Sequence, residues 1–173
     1  MTIIVETGAN IANSNSYVSV SDADAYHLLF NQTDWSGLDT DKENALINAT
    51  LSIELLYGQQ YLSLPQFSTQ SLLFPRFTFV INRRQIIQSG TIPTQLKRAV
   101  CEVALMYLNG LDVYPIPNNA NAIKSNSVKI GELDIANTYG KFPKAERFAG
   151  FNKIDILLAP LLRKTDVPQY MSL

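Results

Sequence analysis

The chain has 173 residues, 46% of them hydrophobic and 17% charged, with a formal net charge of -1. That length holds one domain with a proper core, and two full domains would be a squeeze. The charge balance excludes a disordered acidic tail and a strongly basic nucleic-acid binder, so the composition is that of a globular protein.

The opening MTIIVETGAN lacks the basic start and long apolar core of a signal peptide. No run approaches the roughly 20 apolar residues of a membrane span, so a soluble chain with no membrane partner is expected. Residues 1–16 place the short apolar run Ile3 to Val5 before a small, polar stretch and predict an N-terminal arm or peripheral strand. Ser21, with Asp24 three residues on, makes an acidic variant of the capping box, and Val20 and Ala25 are spaced as a staple. A first helix is therefore expected from about Asp22 to Asn31. Trp35, the only tryptophan, follows in a polar connection and is expected to plug the end of the bundle.

Thr40 and Glu43 form the strongest start signal, a capping box flanked by Asp39 and Asp41, whose charge suits a helix N-terminus. The second helix should run to Tyr57. Leu46, Ala49, Ile53 and Leu56 form its stripe, widened by Ala45, Leu51 and Leu55, with Asn44, Asn48, Ser52 and Glu54 on the wetter side. From Gln59 to Ser89 helical periodicity is lost, and Pro65 and Pro75 forbid a continuous helix. The segment LLFPRFTFV within it is apolar enough to require packing on the bundle.

Thr91 to Gly110 reads as the central helix. Leu96, Ala99, Val100, Val103, Ala104 and Tyr107 recur on one face, and VALMYL is apolar all round, which demands several covering neighbours. Cys101, the single cysteine, is expected there as a buried, reduced thiol, which fits an intracellular origin. After a Pro- and Asn-rich linker, Val128, Ile130, Leu133 and Ile135 alternate with polar residues across Gly131-Glu132, the pattern of a hairpin with strands at about 125–130 and 133–139. An isolated hairpin is marginal in water, so Val128, Lys129, Ile130, Gly131, Glu132, Leu133 and Ile135 are expected to need another chain, or another part of this chain, beside them. Asn152 caps a last helix carrying Ile154, Leu157, Leu158, Leu161 and Leu162, kinked at Pro160.

The fold class is thus mainly α: a small helical bundle around a central buried helix, with a protruding β-hairpin and extended N- and C-terminal arms. One domain is expected, with arm 1–16, helical core 17–110, hairpin 124–139, C-terminal helix 151–164 and tail 165–173. His27 and Cys101 are the residues on which a nucleophilic dyad would draw, but a helix-surface histidine and a core cysteine are the better reading. No phosphate-loop, dinucleotide, zinc-protease or nucleophile-elbow motif is present, so no catalytic, metal or cofactor site is expected. Single-stranded DNA binding is one candidate function, because Phe74, Arg76, Phe77, Phe79, Arg83 and Arg84 interleave aromatic and basic groups. The alternative for these residues is a core role for the aromatics and contacts between subunits for Arg76, Arg83 and Arg84.

The order SNSYVSVSDADAY at 14–26, Trp35, LLFPR at 72–76, IPTQLKRAVCEVAL at 92–105, KSNSVKIGELDIANTY at 124–139 and LLAPLL at 157–162 resembles the tailed-phage head-tail connector, or adaptor, family. Some members of that family are labelled DnaT-like single-stranded DNA-binding proteins. Phe74 stands where that family usually has Trp before Pro-Arg, and the linker at 118–126 is unusually polar. The resemblance implies a non-enzymatic virion protein at the head-tail neck, present in the host cytoplasm during assembly. It also implies a dodecameric ring under the portal that extends the DNA channel and gives tail or nozzle proteins a platform. Its partners would be the portal protein, those tail proteins, further copies of itself and the DNA passing through. The tail residues Val167, Tyr170, Met171 and Leu173 alternate around Pro168 with no partner evident in their own chain, and are expected to bind the portal.

Overall fold

The computed structural model describes residues 2–111, 125–130, 133–138 and 152–163. The chain divides into two units, Met1–Val113 with Lys153–Leu173, and Tyr114–Asn152. The first unit holds α1 (Val20–Leu29), α2 (Asp39–Tyr57), a 3-10 turn (Gly58–Gln60), β1 (Phe79–Ile81), β2 (Gln85–Ile87) and α3 (Thr94–Leu108). The second holds β3 (Ser125–Ile130) and β4 (Leu133–Thr138), and α4 (Asn152–Leu158) returns to the first and ends in a 3-10 turn (Ala159–Leu161). The fold is mainly α with small antiparallel hairpins.

The stripe of α3 is the spine of the first unit: Leu96, Ala99, Val100, Val103 and Ala104 are buried, and Cys101 with them. The helix starts at Thr94 rather than Thr91, because Pro93 holds an extended backbone (φ -60, ψ 138) as the N-cap. The apolar end of the helix is covered less than expected, since Leu105 to Leu108 are half-buried. Against α3 lies α2, with Ala45, Leu46, Ala49, Ile53 and Tyr57 buried. The wider stripe holds only at Ala45: Leu51 and Leu55 are exposed, while Ser52 turns inward, donates to the Asn48 carbonyl (2.8 Å) and pairs with the Tyr107 hydroxyl (2.6 Å). The Thr40–Glu43 box does not form either. Leu38 is the N-cap, without a side-chain bond, so Thr40 is already inside the helix, and Asp39 and Asp41 in the first turn remain to offset its dipole.

The first helix begins two residues before its expected start. Ser19, not Ser21, caps it, accepting from the Asp22 N–H at 3.1 Å. Its inward residues are Ala23 and His27, and His27 is buried rather than on the helix surface. Trp35 folds back to stack on the His27 ring (4.5 Å, 26°) and donates to Asp24 (2.6 Å), so it closes this end of α1 and α2 as expected of it.

The N-terminal segment is an ordered loop rather than a free arm. Val5 bridges in parallel to Ser16, and the fully buried Glu6 carboxylate accepts from the N–H groups of Gly8 (2.7 Å), Asn10 (3.1 Å) and Ile11 (2.8 Å). The long 59–89 segment contains a hairpin that its composition did not predict, with Phe79 opposite Ile87, Val80 opposite Ile86 and Ile81 opposite Gln85. Asn82 and Arg83 turn it with positive φ (51° and 60°), and Ile81 and Ile87 pin it to the core. At the other end, Ile154, Leu158 and Leu161 are buried, and an antiparallel bridge ties Tyr61 to Leu162.

In the second unit, β3 pairs with β4 so that Val128 is opposite Ile135 and Ile130 opposite Leu133, the register expected for a turn at 131–132. The second strand is described as Leu133–Thr138, and the expected last residue, Tyr139, lies outside the described residues.

Candidate functional site

The residues grouped as a nucleic-acid surface divide into an interior set and an exterior set. Phe74 is fully buried, edge-on to Tyr17 (6.3 Å) and Tyr61 (5.0 Å). Arg76 is 6% exposed, and its guanidinium donates to three backbone carbonyls: Nε to Leu62 (2.9 Å), Nη1 to Leu73 (3.1 Å) and Nη2 to Ser63 (2.6 Å). It also lies 5.7 Å from the ring centres of both Tyr61 and Phe74. A planar fork with five donors suits this arrangement, since one side chain can tie several strands of loop at once. Arg76 is therefore a structural anchor and is withdrawn from a surface contact with DNA or another subunit.

A half-buried carboxylate also holds this loop. Glu54 accepts from the Tyr17 hydroxyl and from the Leu73 N–H (2.6 Å), and the Tyr17 oxygen accepts from the Phe74 N–H (3.0 Å). Burial pushes the Glu54 carboxyl above its usual range despite these donors, and burial with the neighbouring Glu54 charge pushes Tyr17 well up. The LLFPR segment is thus fixed by Tyr17, Glu54 and Arg76, residues far apart in sequence. Nothing in local periodicity points to that network, because Glu54 falls with Asn44, Asn48 and Ser52 on the wetter side of the helix pattern.

The exterior set is Phe77, with Arg83 and Arg84 at the β1–β2 turn. Phe79 is half-buried, 6.4 Å from the Phe74 ring. Val80 and Ile86, directly opposite in the hairpin, are exposed and were not singled out by the sequence. Beside them a groove of about 540 Å³ runs between Val80, Arg83, Pro160 and Leu162. Within the hairpin of the second unit, Val128, Lys129, Ile130, Leu133 and Ile135 occupy paired register positions. Gly131, Glu132 and the tail residues Val167, Tyr170, Met171 and Leu173 lie outside the described residues.

His27 and Cys101 make no nucleophilic pair. Burial pushes the Cys101 thiol up to about 12, so it stays protonated at neutral pH, and thiolate is the reactive form. Burial lowers the His27 pKa, with Glu102 pulling the other way. Burial would also raise Asp24, but the bonds from Lys42 (2.8 Å) and Trp35 hold it below the usual carboxylate value. Among the described residues no group of three or more His, Cys, Asp or Glu could hold a metal, and no helix is long and apolar enough to cross a membrane.

What the exposed groups provide is contact chemistry: apolar strand positions, an exposed aromatic and a pair of arginines on a small, mainly helical protein. The family model described as putative DnaT-like ssDNA binding protein matches residues 1–171, and the chain belongs to that family. No curated protein and no solved structure gives a significant match.

Proposed function

We propose that the chain is a structural virion protein, a head-tail connector that assembles as a ring under the portal and offers the tail its attachment platform. The observation that carries this reading is the β3–β4 hairpin. It is a two-stranded sheet of its own unit, with Val128 aligned on Ile135 and Ile130 on Leu133. Such a hairpin gains stability from a further surface beside it, which in a ring is the neighbouring subunit or a tail protein. The order of sequence segments quoted above supports the same reading, as does the internal role of Arg76 and Phe74, which removes two of the groups that a DNA groove would use. The segment after Lys164 is the portal-binding element, ordering in a groove of the portal through Val167, Tyr170, Met171 and Leu173. The test is a truncation after Lys164, followed by co-purification with the cognate portal protein and by melting. Loss of portal binding at an unchanged melting temperature is expected. Intact portal binding with a lowered melting temperature refutes the docking tail, and absence of the chain from purified virions refutes the connector.

Single-stranded DNA binding is the second reading, favoured by the description of the family and by exposed Phe77, Arg83 and Arg84. Stacking on Phe77 with phosphates on the two arginines is its chemistry. Titration with an oligonucleotide at increasing salt tests it: affinity that falls steeply with salt supports it, and no binding at low salt removes it.

A further inference from the structure

The charges of the chain are sorted along the sequence. Residues 1–54 carry eight acids against Lys42 alone, whereas residues 55–101 contain no Asp or Glu and carry Arg76, Arg83, Arg84, Lys97 and Arg98. Glu6 and Arg76 are buried and Lys97 and Arg98 lie on α3, which leaves two unlike exposed groups, Asp34, Asp39 and Asp41 before and at the start of α2, and Arg83 and Arg84 at the β1–β2 turn.

The acidic surface lies where α1 meets α2. Asp24 accepts from both Trp35 and Lys42, which pins the intervening loop to the helices. Leu28, Leu29 and Leu38 at this end are 81%, 76% and 70% exposed, and Asp34, Asp39 and Asp41 beside them in the chain are exposed too. Leucines this open on a folded monomer mark a contact site. The basic surface is the outer side of β1–β2. Val80 and Ile86 face each other at 52% and 55% exposure, Phe77 at 52% lies before them, and Arg83 and Arg84 stand at the turn. Arg83 adopts φ 60°, a conformation that favours glycine or asparagine, so the turn keeps a cation at a position where the backbone favours another residue.

We infer that these two surfaces dock on one another between copies of the chain, head to tail. The occupant of each is a second copy because each surface has the chemistry that the other lacks: exposed leucines with exposed aspartates beside them in the chain on one, strand apolars, Arg84 and a groove lined by Arg83 on the other. A two-fold contact would set like charges together, whereas an unlike pairing leaves one free surface of each kind on every growing assembly, and closes when the rotation allows a ring. The inference rests on the ring in the proposed connector and uses nothing of the portal or the tail.

The test is sedimentation velocity at low salt on the full chain, with two charge-reversed variants, Asp34→Arg with Asp41→Arg, and Arg83→Glu with Arg84→Glu. All four positions are exposed, and circular dichroism checks that each variant folds. The wild type is expected to associate. Each variant alone should associate roughly a hundredfold more weakly, because like charges then face each other across the contact. Mixed in equal amounts, the two variants should reassemble in alternation, since every junction again joins opposite charges. A monomeric wild type, a variant that assembles unchanged, or a folded mixture that stays monomeric overturns the inference. Assembly through other surfaces would leave the connector reading standing. Assembly as expected, by a chain missing from virions, would leave the inference standing without the connector.

Discussion

Replacing Arg76 with Met keeps the length of the side chain and removes all its donors, which separates a structural anchor from a DNA contact. The guanidinium makes three bonds to the carbonyls of Leu62, Ser63 and Leu73 and is 6% exposed. A hydrogen bond from a charged donor contributes about 1.5–3 kcal/mol, so three such bonds set an upper bound of roughly 4–9 kcal/mol. Removing the cation also relieves the desolvation of a buried charge, several kcal/mol in the opposite direction, leaving a net loss of about 2–4 kcal/mol. For a chain of this size each kcal/mol shifts the melting temperature by about 2–4 °C, so a fall of roughly 5–15 °C is expected. Arg76→Lys keeps the charge but has no fork to reach three carbonyls, and should recover less than half of the loss. Thermal melting by circular dichroism reads both variants, alongside oligonucleotide binding at a temperature where each is folded. A melting temperature within about 1 °C of wild type for Arg76→Met, together with lost DNA affinity, would refute the anchor.

Because burial depresses the His27 pKa, the folded chain holds the ring neutral while the unfolded chain takes up a proton near pH 6.5. Its contribution is therefore present at neutral pH and lost as pH falls below about 6.5, at up to ~1.4 kcal/mol per pH unit until the folded pKa is passed. Melting temperatures of wild type and His27→Gln between neutral and mildly acid pH check this, and equal slopes would contradict it. Cys101, buried and held as a thiol, should react with a disulfide reagent at mildly alkaline pH only after unfolding in denaturant. Rapid labelling of the native chain would show the pocket to be open. Deleting Lys129 to Asp134 should leave the helical signal of the first unit intact and, if the proposed connector reading holds, impair neck assembly; unfolding of the helices instead would make the hairpin part of the core.

Where neighbours in sequence are neighbours in space, the sequence was readable. The stripe of α3 and the ends of β3 were found to within a few residues because each depends on a local period. Serines at 19 and 21 both satisfy the capping rule, and only the packing of Ala23 and His27 inward selects Ser19. Leu28 and Leu29 look more like core than an imidazole does, yet they are exposed and His27, expected on the helix surface, is buried. The structure reverses this through Trp35, which comes from the next loop and carries no periodic signal. Interleaved aromatics and arginines at 74–84 look alike whether they face DNA or a core. The burial of Phe74 and Arg76 is decided by Leu62, Ser63, Tyr17 and Glu54, partners that a local pattern does not contain. The strands of β1–β2 have three residues each, too few for alternation to register, and their turn lacks glycine.

Once Arg76 is taken inside, head-to-tail docking and single-strand binding compete for the same pair of side chains, Arg83 and Arg84. Single-strand affinity comes from neutralised phosphates, and two arginines give a salt slope of about -1.4 on a single strand. That is a weak site for one copy, and it becomes strong only if a ring repeats it around a channel. If the arginines instead face the aspartates of the next subunit, they are shielded from DNA when the ring closes. Reversing Arg83 and Arg84 therefore has opposite signatures. In the docking arrangement it dissolves the assembly and costs no DNA affinity. In the DNA-binding arrangement it leaves the oligomeric state alone and flattens the salt dependence. Two titrations on one variant decide between them, and the decision reaches the function because it fixes whether the basic hairpin faces a neighbour or the channel.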